Sequence, residues 1–522
     1  MKLFLVRHGE SIGNTKQGFI SGQTDPDGLS PKGRIQIIRT AWELKNDQYD
    51  QIYSSPVARA QETAAILKSY LGSSVKTADW LTELHHGIFE GYYWWEVIHK
   101  IPPSWRARRE DFRTPYPKGE SMELLIKRIS DGLKKWLTTL DESGSYIVVS
   151  HQVVITTIRY CLEHGDASTL DTQQSQQDFL KYLHEVKLDN GCFAQLTLKN
   201  NTLISTKEVS DFPPLKPNKN NIAFYSKELL QLRKEPETER METASGNSVY
   251  KLQMSAPKII KVVHDKDHEA FQRQIDLYQY LNSKKISSPV VERVDSSQVF
   301  FGYDVLVQDY VAGDVIKKCF IDHPQKVDLL LEKVYEALVQ IHSLPVDEVR
   351  PFWKPPLEEQ FVQWKNYMLL NINMTLHIVQ EKSVTDATYK KIEEALSCLK
   401  DYVREERYAL EPIHGDVGSD NIIVHHNTSC RFVRLIDFEW ARIGDGLWDF
   451  AYFWGWLERN NEEVSEKWER ILRKYFPDQM VQLDWYRILF HAWTVRDMMD
   501  YKDHPIRLRR GRKSMEILEM LS

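Results

Sequence analysis

Cysteine is scarce. Five occur in 522 residues (Cys161, Cys192, Cys319, Cys398 and Cys430), an odd number with no CxxC pair. That excludes a disulfide framework and a thiolate zinc centre, and points to a reducing, cytoplasmic compartment. No apolar run approaches the ~18 residues that a membrane-spanning helix needs. The first residues lead straight into an apolar run, so no signal peptide is expected. An excess of one charge is also lacking. The formal net charge is −6, so nothing global favours nucleic acid or an acidic membrane surface. Hydrophobic residues make up 42% and charged residues 27%, as in ordinary soluble domains. At ~100–200 residues per domain, the chain must divide into two or three.

The chain opens with Leu3-Phe4-Leu5-Val6-Arg7-His8-Gly9-Glu10-Ser11. Four apolar residues, a basic pair and a glycine predict a buried strand ending in a turn. α/β sheets place their chemistry at such carboxyl ends. An arginine fork can hold a phosphate there while an imidazole attacks phosphorus. For an isolated Arg-His pair, a strand and a polar turn is the commoner reading, so the rest of the chain must decide.

Ser30-Pro31 reads as an N-cap and a first-turn proline, and Ile35, Ile38, Ala41 and Leu44 give a helical stripe. Asp50-Gln51-Ile52-Tyr53-Ser54-Ser55 is a short strand. Pro56 opens a helix carrying Arg59 and Thr63 in its first turns, where backbone N–H groups can help hold a phosphate. Glu83, Gly87 and Gly91 follow. Tyr146-Ile147-Val148-Val149-Ser150-His151 is a second apolar strand ending in histidine. Strand–helix alternation implies a parallel sheet flanked by helices. Arg-His-Gly-Glu, Ser-Pro-x-x-Arg-Ala-x-x-Thr-Ala, Glu-x-x-x-Gly-x-x-x-Gly and Ser-His occur in an order that resembles the histidine phosphatase superfamily, over roughly the first 200 residues. The resemblance implies that His8 is the nucleophile forming a phosphohistidine. Arg7, Arg59 and His151 would clamp the phosphoryl oxygens, with Asn14 assisting. Glu83 would protonate the leaving oxygen and then activate water. Tyr116-Pro117-Lys118-Gly119-Glu120-Ser121 looks most like the fructose-2,6-bisphosphatase branch and hints at a sugar phosphate. Arg106, Arg108, Arg109 and Arg113 could grip a second anion or form a solvated helix face. His85 and His86 read as pocket wall or surface.

From Asp211 the composition shifts to Pro213, Pro214, Pro217 and Asn218-Lys219-Asn220-Asn221, which marks the domain boundary. Beyond it, Ser245-Gly246-Asn247-Ser248 looks like a hairpin over phosphates. Pro257-Lys258-Ile259-Ile260-Lys261-Val262-Val263 is a strand with Lys261 as the inward candidate. The strongest signal is Ile413-His414-Gly415-Asp416-Val417-Gly418-Ser419-Asp420-Asn421, followed by Ile436-Asp437-Phe438-Glu439-Trp440. A loop Asp, an Asn five residues on and a strand-end Asp are what nucleotide-dependent phosphoryl transfer needs. The motif resembles the aminoglycoside phosphotransferase and choline kinase families over roughly residues 225–522. The resemblance implies that Asp416 accepts the substrate hydroxyl proton and that Asn421 and Asp437 hold Mg²⁺ on ATP. Lys261 would meet the ATP phosphates. Gln274 stands where those families place a lysine-pairing glutamate. Trp440, Trp448, Trp454 and Trp456 could box a quaternary ammonium, though core is the favoured reading. Asp445, Asp449 and Glu439 could bind an amine or sugar hydroxyls. The basic stretch Arg507, Arg509, Arg510, Arg512 and Lys513 reads as a solvated terminal helix.

The expected fold is therefore α/β. A three-layer α/β/α phosphoglycerate mutase-like domain (1–207) and a linker (208–240) precede a two-lobed, protein-kinase-like α+β domain (241–522). The expected function is bifunctional, with a phosphatase acting on a small phosphate ester and an ATP- and Mg²⁺-dependent kinase acting on a small-molecule hydroxyl. The alternatives are a phosphomutase in the first half, or one idle, regulatory domain. No nucleic-acid or membrane partner is expected, and a homo-oligomer is left open.

Overall fold

A computed structural model describes the chain except residues 25, 99–111, 166–169, 171, 211, 242–246, 265–266, 287, 354–363, 383–384, 426–432, 501–504 and 521–522. Arg106, Arg108, Arg109, Asp211, Ser245, Gly246 and Cys430 thus lie outside the described residues. The chain forms two compact units. One is Met1–Lys266 with Arg293–Val307, and the other is Asp267–Glu292 with Gln308–Ser522.

The first unit is built on a six-stranded sheet. Its strands are β1 (Lys2–Arg7), β2 (Gln51–Ser54), β3 (Val75–Thr77), β4 (Ser145–Ser150), β5 (Phe193–Lys199) and β6 (Thr202–Val209), in the order β3-β2-β4-β1-β5-β6. Strand β1 runs parallel to β4 in a register that ends with Arg7 opposite Ser150. Parallel strands in register finish at the same sheet edge, so His8 and His151 emerge side by side there. Successive β1 side chains alternate between faces. Leu3 and Leu5 join Tyr146 and Val148 in one core, beneath helices Met122–Leu137 and Gln152–His164. Phe4 and Val6 join Ile147 and Val149 in the other, beneath α1 (Pro31–Leu44) and α2 (Ala58–Leu71). This is the expected three-layer α/β/α arrangement. Each such fully buried side chain contributes about 1.5–3 kcal/mol.

The second core does not stop at those helices. It continues through Ile222, Phe224 and Tyr225 into Tyr250, Leu252, Ile260, Val262, Phe300 and Phe301. The last six residues belong to or adjoin a five-stranded sheet of β7 (Glu237–Met241), β8 (Ser248–Gln253), β9 (Lys258–Val263), β10 (Val291–Asp295) and β11 (Asp304–Asp309), ordered β10-β11-β9-β8-β7. The joint is α3 (Lys219–Leu229), a helix inside the 208–240 segment. Asn218 caps it, its side-chain oxygen accepting two first-turn N–H groups. Phe224 stacks on Tyr70 of α2 at 4.0 Å between ring centroids. The buried Tyr225 hydroxyl donates to Asp295 at 2.6 Å.

The second unit is mostly helical. The His414–Asn421 loop leaves β13 (Leu410–Ile413), which pairs antiparallel with β16 (Arg442–Asp445). A small sheet of β12 (Asp314–Val315), β14 (Ile422–Val424) and β15 (Val433–Leu435) flanks it. Helices α4 (Leu447–Asn460), α5 (Met480–Asp500) and α6 (Pro505–Met520) pack against one another behind it. No helix among the described residues is long and apolar enough to cross a membrane.

Candidate active sites

In the first unit, His8 follows the last residue of β1 and is 3% exposed. Its backbone N–H donates to Ser150 O at 3.0 Å. Its Nδ1 lies 2.8 Å from Gly9 O, and a carbonyl can only accept, so Nδ1 carries the proton. Nε2 is left as a lone pair and accepts from Arg59 Nε at 3.2 Å. Burial first, then the charge of Arg59, holds His8 well below the usual histidine range. The imidazole is therefore neutral and oriented, with the Nε2 lone pair that a nucleophile needs. Arg59 sits in the first turn of α2 and also donates to Gly22 O at 2.8 Å. Thr63, one turn further along α2, accepts the Gly9 N–H at 3.2 Å and fixes the turn from behind.

His151 is fully buried, with its ring 5.0 Å from that of His8. Its Nε2 meets Ser55 Oγ at 2.8 Å. That hydroxyl already accepts Val57 N–H at 3.3 Å, so its own proton is available to Nε2. Nδ1 is then a buried donor with no partner among the described residues, as is Arg7 Nε. Arg7 Nη1 is anchored on Leu188 O at 2.8 Å. The arrangement of donors around a lone pair is what an anion requires. Asn14 stands in a capping box with Ser11, its Oδ1 accepting Ser11 N–H at 3.1 Å. Its exposed amide N–H groups are the part left to meet a ligand.

Glu83 lies beyond β3. Burial is the main cause that raises its carboxyl above the ordinary range, against the lowering effects of Leu84 N–H, Arg59 and Arg7. A carboxyl whose protonated form is favoured suits the protonation of a leaving alkoxide. Arg128 holds this segment from below. It donates to Trp80 O at 2.8 Å and Thr82 O at 3.0 Å while Glu120 grips its fork at 3.0 Å on both oxygens. Arg128 stands outside the sequence motifs, and Ser55, Thr63 and Glu120 stand within them without a stated role. Their roles depend on side-chain direction, which the sequence does not display. His86 is half-buried and donates its N–H to Glu90, and His85 lies beside the same carboxylate, in keeping with pocket wall.

In the second unit, Asp416 Oδ2 accepts from Asn421 Nδ2 at 3.1 Å and Oδ1 from the Tyr452 hydroxyl at 2.7 Å. Asn421 Nδ2 also donates to Asp416 O at 2.9 Å. The Asn421 side-chain oxygen is thereby turned away from Asp416. The Asn421 backbone carbonyl accepts Ile436 N–H at 2.9 Å, which brings Asp437, in a left-handed conformation (φ 64°), alongside. An amide oxygen and a carboxylate are hard oxygen donors and fit Mg²⁺. His414 is fully buried. Its Nε2 donates to Ile436 O at 3.0 Å, and its Nδ1 accepts Asp416 N–H at 3.3 Å.

Asp449 does not face a substrate. Its oxygens accept His414 N–H at 2.7 Å, Gly415 N–H at 2.8 Å and His342 Nε2 at 3.0 Å. Asp445 is likewise buried and accepts from the Tyr402 and Tyr486 hydroxyls, both at 3.0 Å. Trp448, Trp454 and Trp456 are core, whereas Trp440 is exposed. An ammonium box therefore does not form from these four. Lys261 is buried on β9, opposite Val249 of β8, and belongs to the first unit. Gln274 is buried on the helix His268–Ser283 of the second unit.

Set against known proteins, residues 3–200 match the model of the histidine phosphatase superfamily (branch 1), and residues 240–483 match that of a phosphotransferase enzyme family. The chain belongs to the histidine phosphatase superfamily through its first part and joins to it a phosphotransferase-family part. Phosphoserine phosphatase 1 of Hydrogenobacter thermophilus is 34% identical over 162 residues, 31% of this chain and 75% of that one. Another phosphatase of that organism is 35% identical over 136 residues, and the chain spans 65% of its length. Human 6-phosphofructo-2-kinase/fructose-2,6-bisphosphatase 4 is 31% identical over 215 residues, 39% of this chain and 41% of that one. Among solved structures, the alpha-ribazole phosphatase from Shigella flexneri has a TM-score of 0.34 at 21% identity, covering 40% of this chain and 96% of its own. An aminoglycoside phosphotransferase, APH(4)-Ia, has a TM-score of 0.42 at 15% identity, covering 55% and 95%.

Proposed function

We propose that the protein is a bifunctional enzyme. Its first part hydrolyses a small phosphomonoester through a phosphohistidine, and its second part transfers the ATP γ-phosphate to a small-molecule hydroxyl. The observation that carries the first reading is the His8 tautomer, with Nδ1–H on Gly9 O and the Nε2 lone pair among Arg7, Arg59 and His151. His8 Nε2 attacks phosphorus as Glu83 gives its proton to the leaving oxygen. The arginines neutralise the oxygens in flight, and the neutral His151 donates a hydrogen bond to them. Glu83 then takes a proton from the water that attacks the phosphohistidine. A sugar phosphate is the proposed substrate class, from the Tyr116–Ser121 segment.

In the second part, Asp416 accepts the proton of the acceptor hydroxyl, held in place by Tyr452 and Asn421. Asn421 and Asp437 would hold Mg²⁺, and Lys261 would meet the ATP phosphates. Bound Mg²⁺ offsets the negative charge of those phosphates. A cytoplasmic location suits both substrates.

The test is a pair of assays on the purified full chain: phosphate release from sugar phosphates, and ADP formation with hydroxyl acceptors. His8→Ala should abolish the first and Asp416→Ala the second. Retention of either rate refutes that half. A second reading has the kinase part bind nucleotide without transfer. It is favoured by Gln274, a neutral amide whose buried Nε2 has no partner among the described residues. ADP formation that depends on Asp416 excludes it.

A further inference from the structure

The acceptor side of the second site carries two guanidinium groups, and among the described residues Asp416 is the acid whose charge reaches Arg459. Tyr452, whose hydroxyl holds Asp416, lies on α4. Trp456 and Arg459 follow at i+4 and i+7, so the three share one helix face. Trp456 borders the catalytic loop, its indole edge 3.8 Å from where a Cβ on Gly418 would sit. Tyr452 and Arg459 both pack on Phe490 of α5, at 4.8 Å and 5.1 Å from its ring centroid. Arg459 is half-buried. Its Nη1 donates to Thr494 Oγ1 at 3.3 Å, and its Nε is buried without a partner among the described residues. Arg510 approaches from α6, one turn before Ser514, which bonds His491 beside Phe490 at 3.1 Å. Arg510 is half-buried and makes no ion pair or hydrogen bond among the described residues. Its charge is felt by both Tyr452 and Arg459. Burial first, with Arg510 adding to it, draws Arg459 down to about 10.

The surrounding acids do not compensate. Glu458 is taken by Arg487 and His491, and Asp497 by Arg507. Asp445 and Asp449, the carboxylates that could have received an amine, are spent on tyrosines and on the catalytic loop. Half-buried guanidinium groups without counter-charge are costly unless a ligand supplies it. Their planar forks match phosphate and carboxylate oxygens.

We infer that the hydroxyl acceptor of the second site is an anion, a small compound bearing a phosphate or carboxylate that Arg459 and Arg510 grip while its hydroxyl meets Asp416. This rests on the kinase reading above and adds the charge of the substrate. It separates this site from one built to hold a cationic acceptor.

The test uses full-length protein with Mg²⁺ and ATP, scored by ADP formation on hydroxyl compounds sorted by charge. Glycerol, choline and aminoglycosides form the uncharged and cationic arms. Glycerate and other hydroxy acids form the carboxylate arm, and glycerol 3-phosphate and sugar phosphates form the phosphate arm. Asp416-dependent turnover confined to the anionic arms is expected, and the arm that responds tells phosphate from carboxylate. Turnover confined to the uncharged or cationic arms overturns the inference and leaves the kinase reading standing. Turnover in no arm overturns the kinase reading and this inference with it. Arg510→Gln breaks no ion pair or hydrogen bond among the described residues and should raise KM for the anionic acceptor about ten- to hundred-fold, with KM for ATP unchanged. Arg459→Lys, which keeps charge and loses the fork, should raise it less. An unchanged acceptor KM in both variants refutes the assignment.

Discussion

Replacing Asp449 tests how the catalytic loop of the second unit is held. This carboxylate is fully buried and receives three donors: the backbone N–H groups of His414 and Gly415 and the imidazole of His342. Alanine leaves all three without an acceptor. At about 1–3 kcal/mol for each buried group left unsatisfied, and with partial relaxation, the expected loss is about 3–5 kcal/mol. Asparagine keeps one acceptor oxygen but turns its amide towards an N–H donor, so about 1–3 kcal/mol should be lost. For a body of about 200–250 residues each kcal/mol is worth about 2–4 °C in Tm. Asp449→Ala should therefore melt roughly 10 °C lower, and Asp449→Asn a few degrees lower. Thermal unfolding followed by near-UV circular dichroism, with ADP formation measured in parallel, reads both effects. If both variants melt with the parent and only the acceptor KM changes, the carboxylate is a substrate ligand and the reasoning fails.

Three other perturbations have defined outcomes. The proposed phosphatase chemistry needs His8 neutral and Glu83 protonated. With His8 held low and Glu83 raised, kcat/KM should persist into acidic pH and fall as pH rises through the Glu83 value, and Glu83→Gln should lose that alkaline limb. A rate that climbs steadily to pH 8 contradicts the assignment. Gly415 has φ +82°, and a Cβ there would sit 2.2 Å from Trp440 O. Gly415→Ala should therefore cost about 1–2 kcal/mol in backbone strain alone and depress phosphoryl transfer by displacing Asp416. Burial is the main cause that lifts Asp445 from 3.8 to about 6. A raised carboxyl contributes stability that is present below its unfolded value and lost as pH rises through the folded one. The second unit should thus lose on the order of 1 kcal/mol between pH 5 and pH 7. Urea titrations should show a flatter pH dependence in Asp445→Asn.

Much was written locally in the chain. The apolar alternation of Leu3 to Val6 and Tyr146 to Val149 determines two buried strands, because strand side chains alternate faces and both faces here are covered. Ser30-Pro31 determines a helix start. The spacing of Asp416 and Asn421 brings them into contact within one loop, so their pairing needs no distant partner. What the sequence could not determine is whatever depends on two distant segments meeting. Arg128 reaches the backbone near Glu83 across some 45 residues, and Asp449 reaches back to His414 and Gly415. The tryptophans after Asp437 read as core or ligand box from composition alone, and packing made three of them core. The 208–240 segment, with its prolines and asparagines, reads as a connector. Its apolar Ile222, Phe224 and Tyr225 instead bury between the helices of the first sheet and the strands of the second. Helix α3 is amphipathic in itself, but which surface it covers is decided only when both surfaces exist. The same holds for Arg459 and Arg510. In the sequence they are two of many exposed-looking basic residues. Only the packing of α4, α5 and α6 brings them near Tyr452, with the charge of Asp416 reaching Arg459.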